Sequence, residues 1–230
     1  MVRSLAILLL LALAGPGLGA QEPGADAAAK AALQKLCDRF KQLRSLSARI
    51  VQTRRTELLD KPIVSSGRMY YRREPARLVF QFSDPRKAVI HLDRTSYQVY
   101  RPDEKRLERI DFSGEDVSGT ILMVFDPKME AIEKGFSIRS AGSRVGQIDV
   151  SLEPADENAR KRLKKLVLTI AESDASLTAI ATTDGEGDDV RFDLSEVALN
   201  EEPAAGVFDL QIPEGTRVLR RTVKPDKGLR

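Results

Sequence analysis

Hydrophobic and polar residues alternate along most of this chain, as they do in β-strands with one buried face. The pattern is clearest in residues 67–82, GRMYYRREPARLVFQF, which predict two strands joined by a short corner containing Arg73. In the second strand Leu78, Phe80 and Phe82 occupy every other position, so their side chains share one sheet face. The stretch therefore predicts an apolar face with an arginine at its edge, covered either by a helix of this chain or by a ligand.

The same alternation continues on both sides of this stretch, and turn residues rather than helices separate most of the segments. Short strands divided by tight turns predict an antiparallel meander, and we expect no parallel sheet. The predicted strands are residues 46–53, 64–72, 76–82, 87–92, 96–101, 106–111, 136–140, 147–152, 165–171, 177–182, 190–199 and 209–212.

Helical periodicity interrupts this pattern in two places. Residues 27–43 carry an apolar stripe at spacings of three and four, which predicts an amphipathic helix; the stripe consists of Leu33, Leu36, Phe40 and Leu43. The dense apolar run at residues 120–125, TILMVF, predicts a short helix, and a short polar helix ending at Gly135 follows it. Because nearly every side of residues 121–125 is apolar, we expect this run to be covered.

The N-terminus resembles a secretory signal. Arg3 precedes an apolar run at residues 5–14, and small residues follow as far as Ala20. A membrane anchor is the alternative, but the run is too short to span a bilayer. We therefore predict a signal peptide at residues 1–20, cleavage near Ala20 and an exported, soluble mature protein.

Composition places the mature chain among ordinary globular proteins. The 230 residues are 42% hydrophobic and 31% charged, which suits one domain or two small ones. The formal net charge of +3 becomes +2 when Arg3 is removed, which is too balanced to indicate nucleic-acid binding. Cys37 is the only cysteine, so no internal disulfide can form and the core must stabilise the fold unaided.

The C-terminus is basic. We predict a folded domain at residues 21–216 and a solvated, flexible tail at residues 217–230, which contains six lysine and arginine residues. The alternative is that this tail provides an electrostatic attachment to an acidic partner or to anionic lipid head groups.

The sequence contains few of the residues and motifs that catalytic sites use. The chain has one histidine, His91, and one cysteine, too few for a zinc site, and it lacks the common nucleophile and phosphate-binding motifs. We interpret His91 as structural or on the surface, Cys37 as a small buried hydrophobe, and the acidic residues 184–189 as a hairpin turn rather than a calcium loop. An enzyme is disfavoured and no cofactor is expected, although a hydrolase with two distant carboxylates remains an alternative.

Ligand binding is the function class that remains. A curved antiparallel sheet with one apolar face and few helices can hold an elongated apolar ligand. The alternative is that the helix at residues 27–43 and the run at residues 121–125 fill the concavity as ordinary core. Composition favours neither interpretation.

Several segments, in their order along the chain, resemble the periplasmic lipoprotein carrier family LolA and its relatives. Residues 46–53, LSARIVQT, are similar to the family's aromatic-x-A-x-F-x-Q-T strand, and residues 67–73 to the segment that ends in its Arg-Pro corner. Residues 181–185 and 208–215 resemble its closing hairpin and its F-x-F-x-x-P-x-G ending. The resemblance extends over residues 33–218, and it rests on order and spacing because no single motif is specific.

The resemblance implies a mainly β fold with α-helices: an incomplete, half-open antiparallel β-barrel of about ten or eleven strands, with helices covering its concave face. It also implies a monomeric periplasmic carrier that takes lipoproteins from an inner-membrane lipoprotein-releasing transporter to an outer-membrane receptor. The acyl-chain-binding residues would be Leu46, Ile50, Met69, Leu78, Phe80, Phe82, Ile121, Leu122 and Phe125.

The family's corner arginine, which tethers a lid in the closed state, corresponds to Arg73, and residues 121–125 would be the lid. Two departures stand out: Glu74 is inserted before Pro75 and could neutralise or displace Arg73, and the family's tryptophans are absent. A relative that binds free lipid or a partner protein, as an envelope sensor, is therefore the alternative function.

Overall fold

The protein is described by a computed structural model that covers residues 24–112 and 119–223. The strands in these residues are β1 Ser45–Arg55, β2 Ile63–Arg72, β3 Arg77–Asp84, β4 Ala88–Asp93, β5 Ser96–Arg101, β6 Arg106–Phe112, β7 Phe136–Arg144, β8 Gln147–Pro154, β9 Leu163–Ala171, β10 Leu177–Asp184, β11 Asp189–Leu199 and β12 Arg217–Val223. The helices are α1 Ala25–Phe40, α2 Gly119–Met123, α3 Met129–Gly135 and α4 Glu157–Arg160.

All twelve strands belong to one sheet, in the order β12-β6-β5-β4-β3-β2-β1-β11-β10-β9-β8-β7. Neighbouring strands are antiparallel except β12 and β6, which are parallel. Within the described residues β7 and β12 form the two edges and do not pair with each other, so the sheet is open. The predicted fold class, a mainly β half-open barrel with helices, is confirmed.

The helices cover part of one sheet face. The buried stripe of α1 includes Leu33, Leu36 and Phe40 and lies against β7, β8 and β9. Cys37 belongs to this stripe, is 2% exposed and has its pKa raised to about 11 by burial, which agrees with its interpretation as a hydrophobe. None of the helices in the described part of the chain is long and apolar enough to cross a bilayer.

The C-terminal region differs from the prediction. Residues 209–212 form no strand, and residues 217–223, predicted as the beginning of a flexible tail, form β12. β12 supplies hydrogen-bonding partners to β6, which would otherwise be the sheet edge, and Arg220 lies 3.4 Å from the carboxylate of Asp111. The parallel β12–β6 pair also contradicts the expectation of a purely antiparallel sheet. The predicted signal peptide and residues 224–230 lie outside the described residues.

Candidate ligand-binding site

The concave face of the sheet carries most of the predicted site residues. In β1, Leu46, Ala48 and Ile50 are fully buried and alternate with more exposed residues. In the sheet these three residues pair with Tyr71, Met69 and Gly67 of β2, respectively. The three β2 residues pair on their other side with Leu78, Phe80 and Phe82 of β3. Because directly paired residues point to the same side of a sheet, all of them line one face.

A segment of this chain covers one end of the concave face. Residues 119–125, here called the lid segment, comprise α2 and the turn after it. The ring of Phe125 stacks on Tyr71 with centroids 4.9 Å apart, and Leu122 and Val124 are also buried in the core. Tyr71 is 1% exposed, and burial raises the pKa of its hydroxyl. The sequence predicts an apolar face but not what covers it. In the structure the lid segment and α1 cover part of that face.

Three phenylalanine rings line the concave face further from the lid segment. Phe80 stacks on Phe82 with centroids 6.2 Å apart and on Phe192 of β11 at 5.1 Å. β3 and β11 are separated by two strands, about 14 Å in a flat sheet. Contact between their rings therefore requires strong curvature. Phe80 and Phe192 are only partly buried, so this aromatic group is less covered than Tyr71.

Charged side chains surround the end of the concavity that lies opposite the lid segment. Arg54 at the end of β1 pairs with Asp188 in the β10–β11 turn at 3.1 Å. Across the concavity, Glu108 of β6 pairs with Arg101 at 3.0 Å and with Arg106 at 3.2 Å. These pairs are partly exposed and contribute little to stability. They form a charged rim beyond the aromatic group.

Arg73 connects three parts of the chain. Its guanidinium donates hydrogen bonds to the carbonyl oxygens of Phe40 (2.7 Å) and Lys41 (2.9 Å), at the C-terminal end of α1. It also forms an ion pair with Asp126, directly after the lid segment, at 3.0 Å. A cation at a helix C-terminus is stabilised by the helix dipole, and charge-assisted hydrogen bonds are among the stronger ones. The carboxylate paired with Arg73 is therefore that of Asp126. The inserted Glu74 is exposed to solvent.

The structure brings eight of the nine predicted acyl-chain-binding residues to the core on the concave face, with Phe80 partly buried. Ile121 differs: it is 47% exposed, because the short helix α2 presents this side chain away from the core. The expectation that the whole run at residues 121–125 is covered is therefore wrong at Ile121. Phe192 is not among the site residues predicted from the sequence, although the alternating pattern of VRFDL at residues 190–194 could have indicated it. Asp126 is also missing from them, because nothing in the sequence indicates the contact of Asp126 with Arg73.

The opposite, convex face carries His91. The segment after β11 crosses this face: the guanidinium of Arg72 lies 4.6 Å from the Phe208 ring, and Arg77 donates to the Phe208 carbonyl at 3.0 Å. A cavity of about 310 Å³ lies beside Arg77, His91 and Asp209. Burial, together with the charge of Arg77, lowers the pKa of His91. In the described residues no group of three or more His, Cys, Asp or Glu side chains could hold a metal ion.

Comparison with known proteins identifies one family. The model of the family described as outer membrane lipoprotein carrier protein LolA matches residues 41–211. This range extends from the end of α1 to just before β12, and it contains the concave face, Arg73 and the lid segment. No curated protein matches the chain significantly.

Several solved structures are similar to this chain at low sequence identity. The lipoprotein LppX of Mycobacterium tuberculosis is 14% identical with a TM-score of 0.46, over 77% of this chain and 98% of that one. A LolA superfamily protein from Nitrosomonas europaea is 12% identical with a TM-score of 0.40, over 78% and 96%. The MucA/MucB complex of Pseudomonas aeruginosa gives 15% identity and a TM-score of 0.45, over 80% of this chain and 61% of the matched one.

Proposed function

The chain belongs to the LolA family of outer membrane lipoprotein carriers, and we propose that it is a periplasmic carrier that binds the acyl chains of lipoproteins and moves them from the inner to the outer membrane. The acyl chains would occupy the concave face of the sheet. No catalysis and no cofactor are part of this function.

The apolar concave face is the observation that carries the proposal. Transfer of an acyl chain from water to an apolar surface contributes about 0.8 kcal/mol per methylene group, so a chain gains stability along the whole length of such a face. Phe80 and Phe192, which are only partly buried and lie beside the buried Phe82, offer an aromatic surface where an acyl chain could first bind. Tyr71 and Phe125 lie deeper, where further binding requires the lid segment to move.

Displacement of the lid segment is the step that would enlarge the site. In the described part of the chain, Arg73 holds Asp126 and the end of α1, Phe125 stacks on Tyr71, and Leu122 and Val124 are buried in the core. A hydrogen bond contributes about 1 kcal/mol net, so the gain from burying an acyl chain can exceed the loss of these contacts. In this mechanism Arg73 is the latch, and Leu46, Ile50, Met69 and Leu78 form the wall that the lid segment uncovers.

Directional transfer requires partners that bind the loaded and the empty carrier differently. We propose an inner-membrane lipoprotein-releasing transporter as the donor and an outer-membrane receptor as the acceptor, with the carrier acting as a monomer. An envelope-sensing relative that binds free lipid or a partner protein is the competing function, and the cargo distinguishes the two.

Native mass spectrometry of the protein purified from its host periplasm tests the proposal. We expect a fraction of the protein to carry a triacylated polypeptide. Free phospholipid as the only bound species would overturn the carrier function in favour of the lipid-binding alternative. The absence of any bound lipid or lipoprotein would overturn both and leave the concave face as ordinary core.

A matched pair of variants links the cargo to the concave face. Phe80→Ser introduces a hydroxyl group among the stacked rings, and we expect the bound fraction to fall several-fold. Val51→Ser is the control, because Val51 is 39% exposed on the convex face of β1. Equal cargo in the two variants would place the binding site elsewhere.

A further inference from the structure

The connection between β1 and β2 exposes an unusual amount of apolar surface. Leu58 is 93% exposed and Leu59 50% exposed in the turn at residues 56–62. Ile63 and Val64, where β2 begins, are 44% and 50% exposed. Four large hydrophobic side chains within seven consecutive residues therefore contact solvent at one hairpin tip. None of the four belongs to the described hydrophobic core.

The tip lies at the same end of the molecule as the charged rim of the concavity. Arg54, which belongs to the rim, is paired in register with Ile63, so the exposed residues begin where the rim ends. The lid segment lies at the opposite end, next to Tyr71. The apolar tip therefore lies at the end of the concave face where the aromatic group is only partly covered.

Basic side chains outnumber acidic ones by one at the tip and by one at its β3–β4 neighbour. Residues 54–64 include Arg54, Arg55 and Lys61 against Glu57 and Asp60, a net charge of +1. The β3–β4 turn, which is the neighbouring tip at this end, adds Arg86 and Lys87 against Asp84, again +1. The β10–β11 turn, on the opposite side of the β1–β2 tip from the β3–β4 turn, is acidic. Because an anionic surface repels acidic residues, the β3–β4 turn and not the β10–β11 turn would face it.

The small size of the tip favours a membrane over a protein partner. A stable protein–protein interface takes about 20–30 residues from each partner, many more than the seven residues of the turn at 56–62. Insertion into a bilayer needs only a few apolar side chains, because the apolar surface of each leucine that leaves water contributes to binding. Basic residues next to the inserted side chains add attraction to anionic lipids.

We propose that the β1–β2 hairpin tip is a membrane-docking element, in which Leu58 and Leu59 insert into a phospholipid bilayer containing anionic lipid while Arg55 and Lys61 contact its head groups. Docking through this tip would bring the open end of the concave face to the bilayer surface. The proposal goes beyond the carrier function, since it concerns how the protein binds a membrane surface and not which cargo it carries.

The absence of tryptophan from the sequence allows a direct test. Leu58→Trp places a single tryptophan at the tip, and we expect its emission to shift to the blue on addition of phosphatidylethanolamine–phosphatidylglycerol vesicles and to be quenched by brominated acyl chains. Val145→Trp is the matched control, because Val145 is 106% exposed in the β7–β8 turn at the opposite end of the strands. No shift at position 58, or equal shifts at both positions, would overturn the proposal.

Vesicle flotation provides a second measurement that does not depend on an introduced tryptophan. The double variant Leu58→Ser/Leu59→Ser should partition into these vesicles at least about tenfold more weakly, whereas Val145→Ser should partition as the unaltered protein does. Unaltered partitioning of the double variant would contradict insertion of the leucines. Phe80→Ser should lose cargo and keep vesicle partitioning, so failure of one proposal is distinguishable from failure of the other.

Discussion

At the scale of single residues, Arg73 joins the two elements that cover the concave face. One guanidinium binds two carbonyl oxygens at the end of α1 and the carboxylate of Asp126. These groups come from segments far apart along the chain, and they lie on the two elements that cover the concave face. A substitution that removes the charge therefore releases both elements together.

We predict that Arg73→Leu increases the binding of an apolar dye. Loss of about 1–2 kcal/mol of lid stabilisation would raise the population of the open form roughly 5–30-fold. Dye titration followed by fluorescence measures the change. Arg68→Leu is the control, because Arg68 is exposed and its ion pair with Glu196 is 3.9 Å long. An unchanged dye-binding curve for Arg73→Leu would remove this residue from the mechanism.

At the scale of secondary-structure elements, the β2–β3 pair depends on a glycine. The register shifts between Ser66 and Gly67, and the two strands come so close there that a methyl group at position 67 would overlap the carbonyl oxygen of Gln81. The neighbouring backbone cannot move without breaking the pairing on both sides. Gly67 thus permits a close approach beside Phe82, on the wall of the concavity.

We predict that Gly67→Ala lowers the free energy of unfolding by more than about 2 kcal/mol, because the new methyl group forces β2 and β3 apart. Gly135→Ala should instead be neutral or stabilising by up to about 1 kcal/mol, since a methyl group there meets no atom within 4 Å and Gly135 is the last residue of α3. Urea unfolding measures both. Equal midpoints for the two variants would show that the strands can accommodate the methyl group.

At the scale of the whole molecule, the open sheet must protect its edges. Unpaired strand edges promote association with other chains, and charged residues on an edge strand oppose it. β12 covers the edge of β6 and presents exposed Arg217, Arg220 and Arg221. The basic composition that suggested a flexible tail therefore belongs, at residues 217–223, to an edge strand.

We predict that a chain ending at Thr216 is less stable and associates with itself, because β6 loses the backbone hydrogen bonds to β12 and becomes an unpaired edge. A chain ending at Val223 retains β12 and should behave as the full chain does. Thermal unfolding and light scattering across a range of protein concentrations compare the two. If the shorter chain kept the melting temperature and the molar mass of the longer one, β12 would have no stabilising role.

Local patterns predicted much of the fold. Eleven of the twelve strands, helix α1 and the hairpin turn at residues 184–189 were predicted from alternation, helical spacing and turn residues. These signals are available in the sequence because burial on one face imposes a period of 2 on a strand and 3.6 on a helix. The buried wall residues Leu46, Ile50, Met69 and Leu78 follow from the same periods.

Tertiary structure decided the features that depend on contacts between distant residues. The pairing of Arg73 with Asp126, the ring contact between Phe80 and Phe192, and the parallel pairing of β12 with β6 join segments separated by about fifty to more than a hundred positions. No local period encodes such contacts, because they depend on how the sheet curves and which element covers it. The sequence alone therefore determined which side chains form the apolar face, and the tertiary structure decided what covers that face and where it remains open.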